Sequence, residues 1–219
     1  MGQIHACARG CAVTPETVER YFTRADDTFA FARWGRPICP VVFGVEDDTL
    51  SVLKGAIEAV CSLAGHEMGE MDAELGSNLM MFFFRDWAEL PQVPGMDRLV
   101  PDLEALVARL ETVEANQYRF FRFDEAGAIK ACFVFLRMDA HLSDVPAQTL
   151  ALSQITQSML LWSDLAFQDQ SPLLVADGKT ILRPDVAMLI RAAYDPVLPH
   201  AAQDPSHALR LSARIKGAQ

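Results

Sequence analysis

Residues 117–139, QYRFFRFDEAGAIKACFVFLRMD, constrain the fold of this chain more than any other stretch. Two runs rich in Phe, Val and Ile flank a turn at Asp124 to Gly127, which is the signature of a β-hairpin. Arg119 and Arg122 interrupt the apolar residues too seldom for strict alternation, so the hairpin is expected to be covered on both faces. A further apolar run in SNLMMFFFRDW is short for a helix and fits a buried strand over 78–85. RPICPVVFGV, β-branched and bounded by proline and glycine, supplies another over 38–45.

Helical patterns fall between these runs. Thr14 followed by Pro15 reads as an N-cap with proline at the first helical position, and Val18, Tyr21, Phe22, Ala25 and Phe29 carry the spacing on to about Arg33. Asp47 or Asp48 caps a second helix, with Leu50, Leu53, Ala56, Ile57 and Val60 on its apolar face and Gly65 at its end. A third is expected from Pro101 to Val113, with Leu103, Leu106, Val107 and Leu110 on one side. A fourth contains SQITQSMLLWSD, residues 153–164. A loop through DQSPLLVADGKT then leads to a closing helix near Pro184 and Asp185. The sum is an α+β (α/β-like) chain, a mixed β-sheet flanked by helices, with no internal repeat. The 219 residues, 51% of them hydrophobic, suffice for one core. One domain is expected over residues 14–199, between a flexible N-terminus (1–13) and a C-terminal tail (200–219).

A net charge of −10 argues against nucleic acid and anionic lipid as partners. No apolar run reaches the length of a membrane span, and MGQIHACARGCAVTPE holds no charged segment followed by an apolar stretch, so a soluble, cytoplasmic chain is expected. Ile4-His5-Ala6-Cys7 resembles the cleavage box of a bacterial lipoprotein with His5 off-pattern, and a leader ahead of it would make the protein periplasmic or lipid-anchored. The five cysteines have no paired spacing and fit free thiols, with Cys39, Cys61 and Cys132 as small core residues. His5, Cys7 and Cys11 match no closed zinc motif.

The stretch from Ser153 to Asp164 resembles the active-site helix of a metzincin zinc peptidase stripped of its ligands. That pattern, H-E-x-x-H-x-x-G-x-x-H, places two imidazoles on one helix face, a general base beside the first, and a glycine before the third histidine. Laid on this chain it reads Ser153, Gln154, Gln157, Leu160 and Ser163, with none of the chemical residues kept. The following sequence is similar in order to matrixin-type members, with Ser163-Asp164, a turn at Ser171 to Leu174, then Leu182, Pro184-Asp185-Val186, Ile190, Ala193 and Tyr194. The region from about Met80 to Tyr194 therefore resembles a metzincin-like core with a degenerate active-site helix. The chain also resembles an uncharacterised proteobacterial family with many lipoprotein-like members. Gln157, Asp164, Asp185, AAYDPVLP at 192–199 and RWGRPI at 33–38 carry that likeness. Ser153 and Gln154 stand where that family has paired carboxylates, and Leu160 where it has glycine. The plainer account of the helix is an amphipathic one, with Leu152, Ile155, Met159 and Trp162 on the sheet and Ser153, Gln154 and Gln157 on the polar side.

No metal or cofactor is expected at that helix, because neutral serine and glutamine oxygens are weak zinc ligands. GHEMGEMDAE imitates H-E-x-x-E through His66, Glu67 and Glu70, but Gly65 and Gly69 oppose a helix there, and a solvated acidic loop is expected. His141 and Asp144, with Asp139 close by, read as a turn with capping carboxylates. There is no nucleophile elbow, phosphate-binding glycine loop or C-x-x-C, and nothing marks Cys132 as a nucleophile. Two function classes remain. One is a non-catalytic binding or scaffolding domain that takes a protein or extended peptide by strand addition. The other is an enzyme with remodelled chemistry in the same cleft, for which Gln154, Gln157, Ser163, Asp164 and His141, with Ser153 beside them, are the candidate residues. A binding module should leave these side chains solvated or locally hydrogen-bonded, whereas an enzyme should gather a histidine or carboxylate with a shifted pKa in a pocket.

Overall fold

A computed structural model describes residues 13–217; His5, Cys7 and Cys11, with the lipoprotein-like box and nearly all of the expected flexible N-terminus, lie outside them. Helix α1 (Pro15–Phe22) starts as the sequence predicts, with the Thr14 hydroxyl accepting from Thr17 N–H at 3.2 Å. It stops at Phe22 rather than near Arg33. Thr23 is extended, Asp27 takes a left-handed φ of 63°, and Asp26 Oδ1 accepts from both the backbone and the hydroxyl of Thr28. Such a local side-chain turn competes with helix. The chain then enters β1 (Phe31–Ala32) and β2 (Pro40–Phe43), followed by α2 (Asp47–Ala64), which Gly65 ends at a φ of 64°.

Strand β3 (Leu79–Phe84) leads through a 3-10 turn to a one-turn helix, α3 (Met96–Leu99), and to α4 (Leu103–Thr112). The expected hairpin is present as β4 (Gln117–Phe123) and β5 (Ile129–Arg137), with Gly127 at a φ of 82° in its turn. After the short α5 (Ala140–Ser143) comes α6 (Ala147–Met159). Residues 173–182, expected as loop, form a second hairpin, β6 (Leu173–Ala176) and β7 (Lys179–Leu182), around Asp177-Gly178, both at positive φ. That Asp-Gly step is the favoured two-residue hairpin turn, so the signal was present in the sequence. Helix α7 (Pro184–Ala193) follows. The segment set apart as a tail is also corrected, because β8 (Ala201–Ala202) pairs with β1 and α8 (Ser206–Gly217) buries Ala208, Leu211 and Ile215 in the core. Apolar residues at helical spacing, unread there, explain the docking.

The main sheet has the order β2-β3-β5-β4, with β2, β3 and β5 parallel and β4 antiparallel at one edge, so it is a mixed sheet flanked by helices. Alternate residues of β5 face different cores. Cys132, Val134 and Leu136 pack with α2, α6 and α7, while Phe133 and Phe135 join Trp87, Met96, Leu103 and Leu106 on the α4 side. Strand β5 is thus covered on both faces, whereas β4 stays half-buried to exposed. Cys39, Cys61 and Cys132 are buried free thiols, and burial pushes the Cys61 thiol up to about 11. No described helix is long and apolar enough to cross a membrane.

Residues 32–35 lace these parts together. Leu161 N–H donates to Ala32 O at 2.9 Å, Arg33 N–H to His200 O at 2.8 Å, and Ile129 N–H to Arg33 O at 2.9 Å. A Cβ on Gly35 would come within 2.8 Å of Ala128 Cβ, so this approach requires glycine.

Two expectations follow for α8. Leu211→Ala should cost about 2–5 kcal/mol in urea unfolding, whereas the exposed Leu209→Ala should stay within about 0.5 kcal/mol. His207 is buried against Phe31 with neither ring nitrogen hydrogen-bonded among the described residues, and burial with Arg210 and Arg33 nearby lowers its pKa to about 4. The unfolded state then binds the proton first, so stability should be full above about pH 6.5 and fall as pH drops toward 4. His207→Leu should flatten that part of the pH–stability curve.

Candidate functional site

Helix α6 is where the predicted residues meet the sheet. Its last turn has no glycine, and Leu160 leaves it in extended conformation. Three of its final carbonyls instead receive aromatic donors: Trp162 Nε1 gives to Thr156 O at 3.0 Å, Trp34 Nε1 to Ser158 O at 2.8 Å, and the Tyr194 hydroxyl to Met159 O at 2.8 Å. Helix ends leave such acceptors without intrahelical partners. Burial pushes the Tyr194 hydroxyl far above the usual phenol value, keeping it a donor. Thr156 and Ser158, also buried, donate to Leu152 O and Gln154 O one turn back.

The chain beyond Leu160 folds over the α1 end. Ser163 N–H donates to Tyr21 O at 2.8 Å, its hydroxyl to Arg20 O at 3.3 Å, and Asp164 Oδ1 accepts from Ala25 N–H at 3.2 Å. Trp162 stacks on Phe22 and meets Phe167 edge-on. A cavity of about 710 Å³ opens between this loop, the turn after α1, and the sheet edge. Arg119 and Phe121 of β4, Gln157 of α6, Trp162, Phe167 and Arg24 contribute to its walls, as do Ser163 and Asp164. Its volume lies in the range of small-ligand sites.

Ser153, Gln154 and Gln157 are hydrogen-bonded rather than freely solvated, with Ser153 and Gln157 half-buried. Gln154 is 1% exposed. Its Oε1 accepts from Arg119 Nη2 at 2.5 Å and its Nε2 donates to Gln117 Oε1 at 3.0 Å. Gln157 Oε1 faces Arg119 Nη1 at 3.4 Å, while Gln157 Nε2 donates to Ser153 Oγ at 3.0 Å. Ser153 and Gln154 also border a second cavity of about 360 Å³, shared with Gln117, His141 and the β6–β7 hairpin. The six candidates are therefore divided, with Gln157, Ser163 and Asp164 at the larger cavity and Ser153, Gln154 and His141 at the smaller. His141 is exposed on α5, and Asp139 caps that helix by accepting from Leu142 N–H at 2.9 Å.

Arg119 is the residue that sequence reasoning passed over. Burial pulls its guanidinium below the ordinary arginine value, and no carboxylate among the described residues pairs with it. Its Nε–H is buried without a partner among the described residues. A cation at the third position of an otherwise aromatic run, QYRFF, was the available signal. Burial raises the Cys132 thiol to about 12, which leaves it inert at neutral pH. GHEMGEMDAE is non-helical as expected, though it is not wholly solvated. His66 contacts Arg36 O through Nε2 at 2.9 Å and the Tyr194 ring, and Asp72 is buried among Arg36, Asn78 and the backbone of Glu74 and Leu75. Among the described residues no three His, Cys, Asp or Glu side chains stand together as a metal-ligand set.

The carboxylates at the larger cavity are engaged with backbone N–H groups, Asp164 with Ala25 and Asp26 with Thr28. Hydrogen bonds from Thr28 hold Asp26 below the usual carboxylate range, the opposite of what a general base needs. The arrangement suits holding a ligand against a cationic and aromatic wall better than moving a proton. Comparison with protein-family models, with curated proteins and with solved structures finds no match to this chain.

Proposed function

We propose that this chain is a non-catalytic, metallopeptidase-like binding domain that takes an extended peptide along the outer edge of β4. The observation that carries the reading is the union of an unpaired strand edge with two cavities on one side of it. β4 pairs with β5 alone, and no backbone bond within the described residues reaches its other edge. Such an edge presents alternate N–H and C=O groups ready to accept another strand. Gln117, Arg119 and Phe121, alternate residues on the α6 side, border the two cavities, so side chains of an added strand would have places to go.

The metzincin-like ancestry is part of this proposal. It is supported by the placement of α6 beside an antiparallel edge strand and by Gln154 and Gln157, which stand at the general-base and second-histidine positions of the pattern and bond to Arg119 and Gln117. Neutral amides committed in this way leave neither an imidazole nor a general base where peptide hydrolysis would need one.

Selection from a displayed heptapeptide library tests the reading. The expected ligands bind extended, slow amide exchange in residues 117–123, and weaken when alternate peptide nitrogens are methylated. Selected peptides that leave β4 exchange unchanged would overturn it. Excess zinc is expected to leave the thermal midpoint of the full chain unmoved. A rise retained after dialysis, and lost in Gln154→Ala or Gln157→Ala, would refute the non-catalytic assignment of α6.

A further inference from the structure

Arg119 is a half-buried cation whose Nε is shut off from solvent and which has no carboxylate partner among the described residues, an arrangement proteins seldom keep. Two of its five N–H groups reach glutamine oxygens, one of them at only 3.4 Å, and Nε–H reaches nothing among the described residues. Both glutamine oxygens are neutral acceptors, so they orient the guanidinium without cancelling its charge. Arg24 stands on the same cavity, in a chain whose net charge is −10. Phe121, Leu161, Trp162 and Phe167 give the cavity an apolar, aromatic side, while Asp26, Asp164 and other polar groups complete the wall.

We infer that the cavity beside β4 is a carboxylate-binding site, in which a monoanionic carboxylate attached to an apolar group seats on Arg119 and its apolar part lies against Phe121 and Trp162. A guanidinium edge offers two parallel N–H groups to such an anion, and the pair is stronger in a partly dry cavity than in water. Asp26 and Asp164 border the same space and disfavour a dianion, which selects a carboxylate over phosphate. The inference deepens the peptide-binding reading and rests on it for the ligand's identity, since a peptide can bring either its C-terminal carboxylate or an acidic side chain.

Trp162 supplies the readout, because Trp34 and Trp87 are fully buried and only Trp162 borders the cavity. Phenylacetate and hexanoate, their matched amides, and inorganic phosphate would be titrated into the wild-type chain at constant ionic strength. The acids should give a saturable change in tryptophan fluorescence and bind at least about tenfold more tightly than the amides or phosphate. Arg119→Gln should abolish the difference between acid and amide, and Arg119→Lys should restore part of it. Equal binding of acid and amide, no saturable response to either, or tighter binding of phosphate would each overturn the site. If Arg119→Gln fails to fold, the acid-to-amide ratio on the wild type decides alone.

Three acetylated apolar hexapeptides then separate the carboxylate's sources: one with a free C-terminus, its amide, and that amide carrying an internal glutamate. Preference for the first identifies a chain terminus as the anion, and preference for the third an acidic side chain. Small acids that bind when no peptide does would uphold the carboxylate site and sink the peptide reading. Peptides that bind equally whatever their charge, with no small-acid binding, would do the reverse.

Discussion

The end of α6 depends on three aromatic side chains that donate to its last carbonyls. Trp34 comes from the segment after β1, Trp162 from the loop after α6, and Tyr194 from the end of α7, so distant parts of the chain converge on one helix terminus. Glycine commonly lets a helix stop by adopting a left-handed turn that satisfies these acceptors locally. Here Leu160 is extended, and satisfaction comes from tertiary structure. That choice directs residues 161–168 across the α1 end, where Ser163 and Asp164 are held by backbone bonds, and the larger cavity is a consequence of that path.

Strong local signals marked most of the fold. The Asp124–Gly127 turn, the proline after Thr14 and Gly65 behind α2 all appear where their chemistry required. The first helix was overextended because Ala25 and Phe29 keep helical spacing through Arg24-Ala25-Asp26-Asp27, where short acidic side chains bond the backbone instead. The β6–β7 hairpin and α8 escape sequence reading for a different reason: their turn and periodicity are present, but whether they join the core depends on partners elsewhere in the chain. Leu211 and Ile215 find theirs only in the assembled core.

The site was readable by residue type and not by connection. Ser153, Gln154 and Gln157 mark a helix without zinc ligands, but nothing in the sequence says that both glutamines turn their oxygens to Arg119, 35 and 38 positions earlier. Helical spacing made Gln154 look like a polar surface residue, yet it lies under the strand edge at 1% exposure. His141, exposed on α5, meets Ser153 and Gln154 only at the smaller cavity. Pattern along a chain reveals which side of a helix is apolar. It does not reveal when the neighbouring strand carries a charge that makes burying an amide favourable.

The glutamines also explain how Arg119 can remain at the site. An arginine beside two carboxylates would form a closed ion pair, satisfied internally and of little use to an incoming anion. Neutral amide oxygens fix the guanidinium plane and satisfy part of its donor capacity while leaving its charge uncompensated. Gln117 and Ser153 hold the amides in turn, so the cation sits at the centre of a hydrogen-bonded frame. Two neutral amides on this helix face thus hold an oriented cation at the edge of an unpaired strand. Carboxylates at these positions would neutralise Arg119, and imidazoles would compete with it for protons and metal.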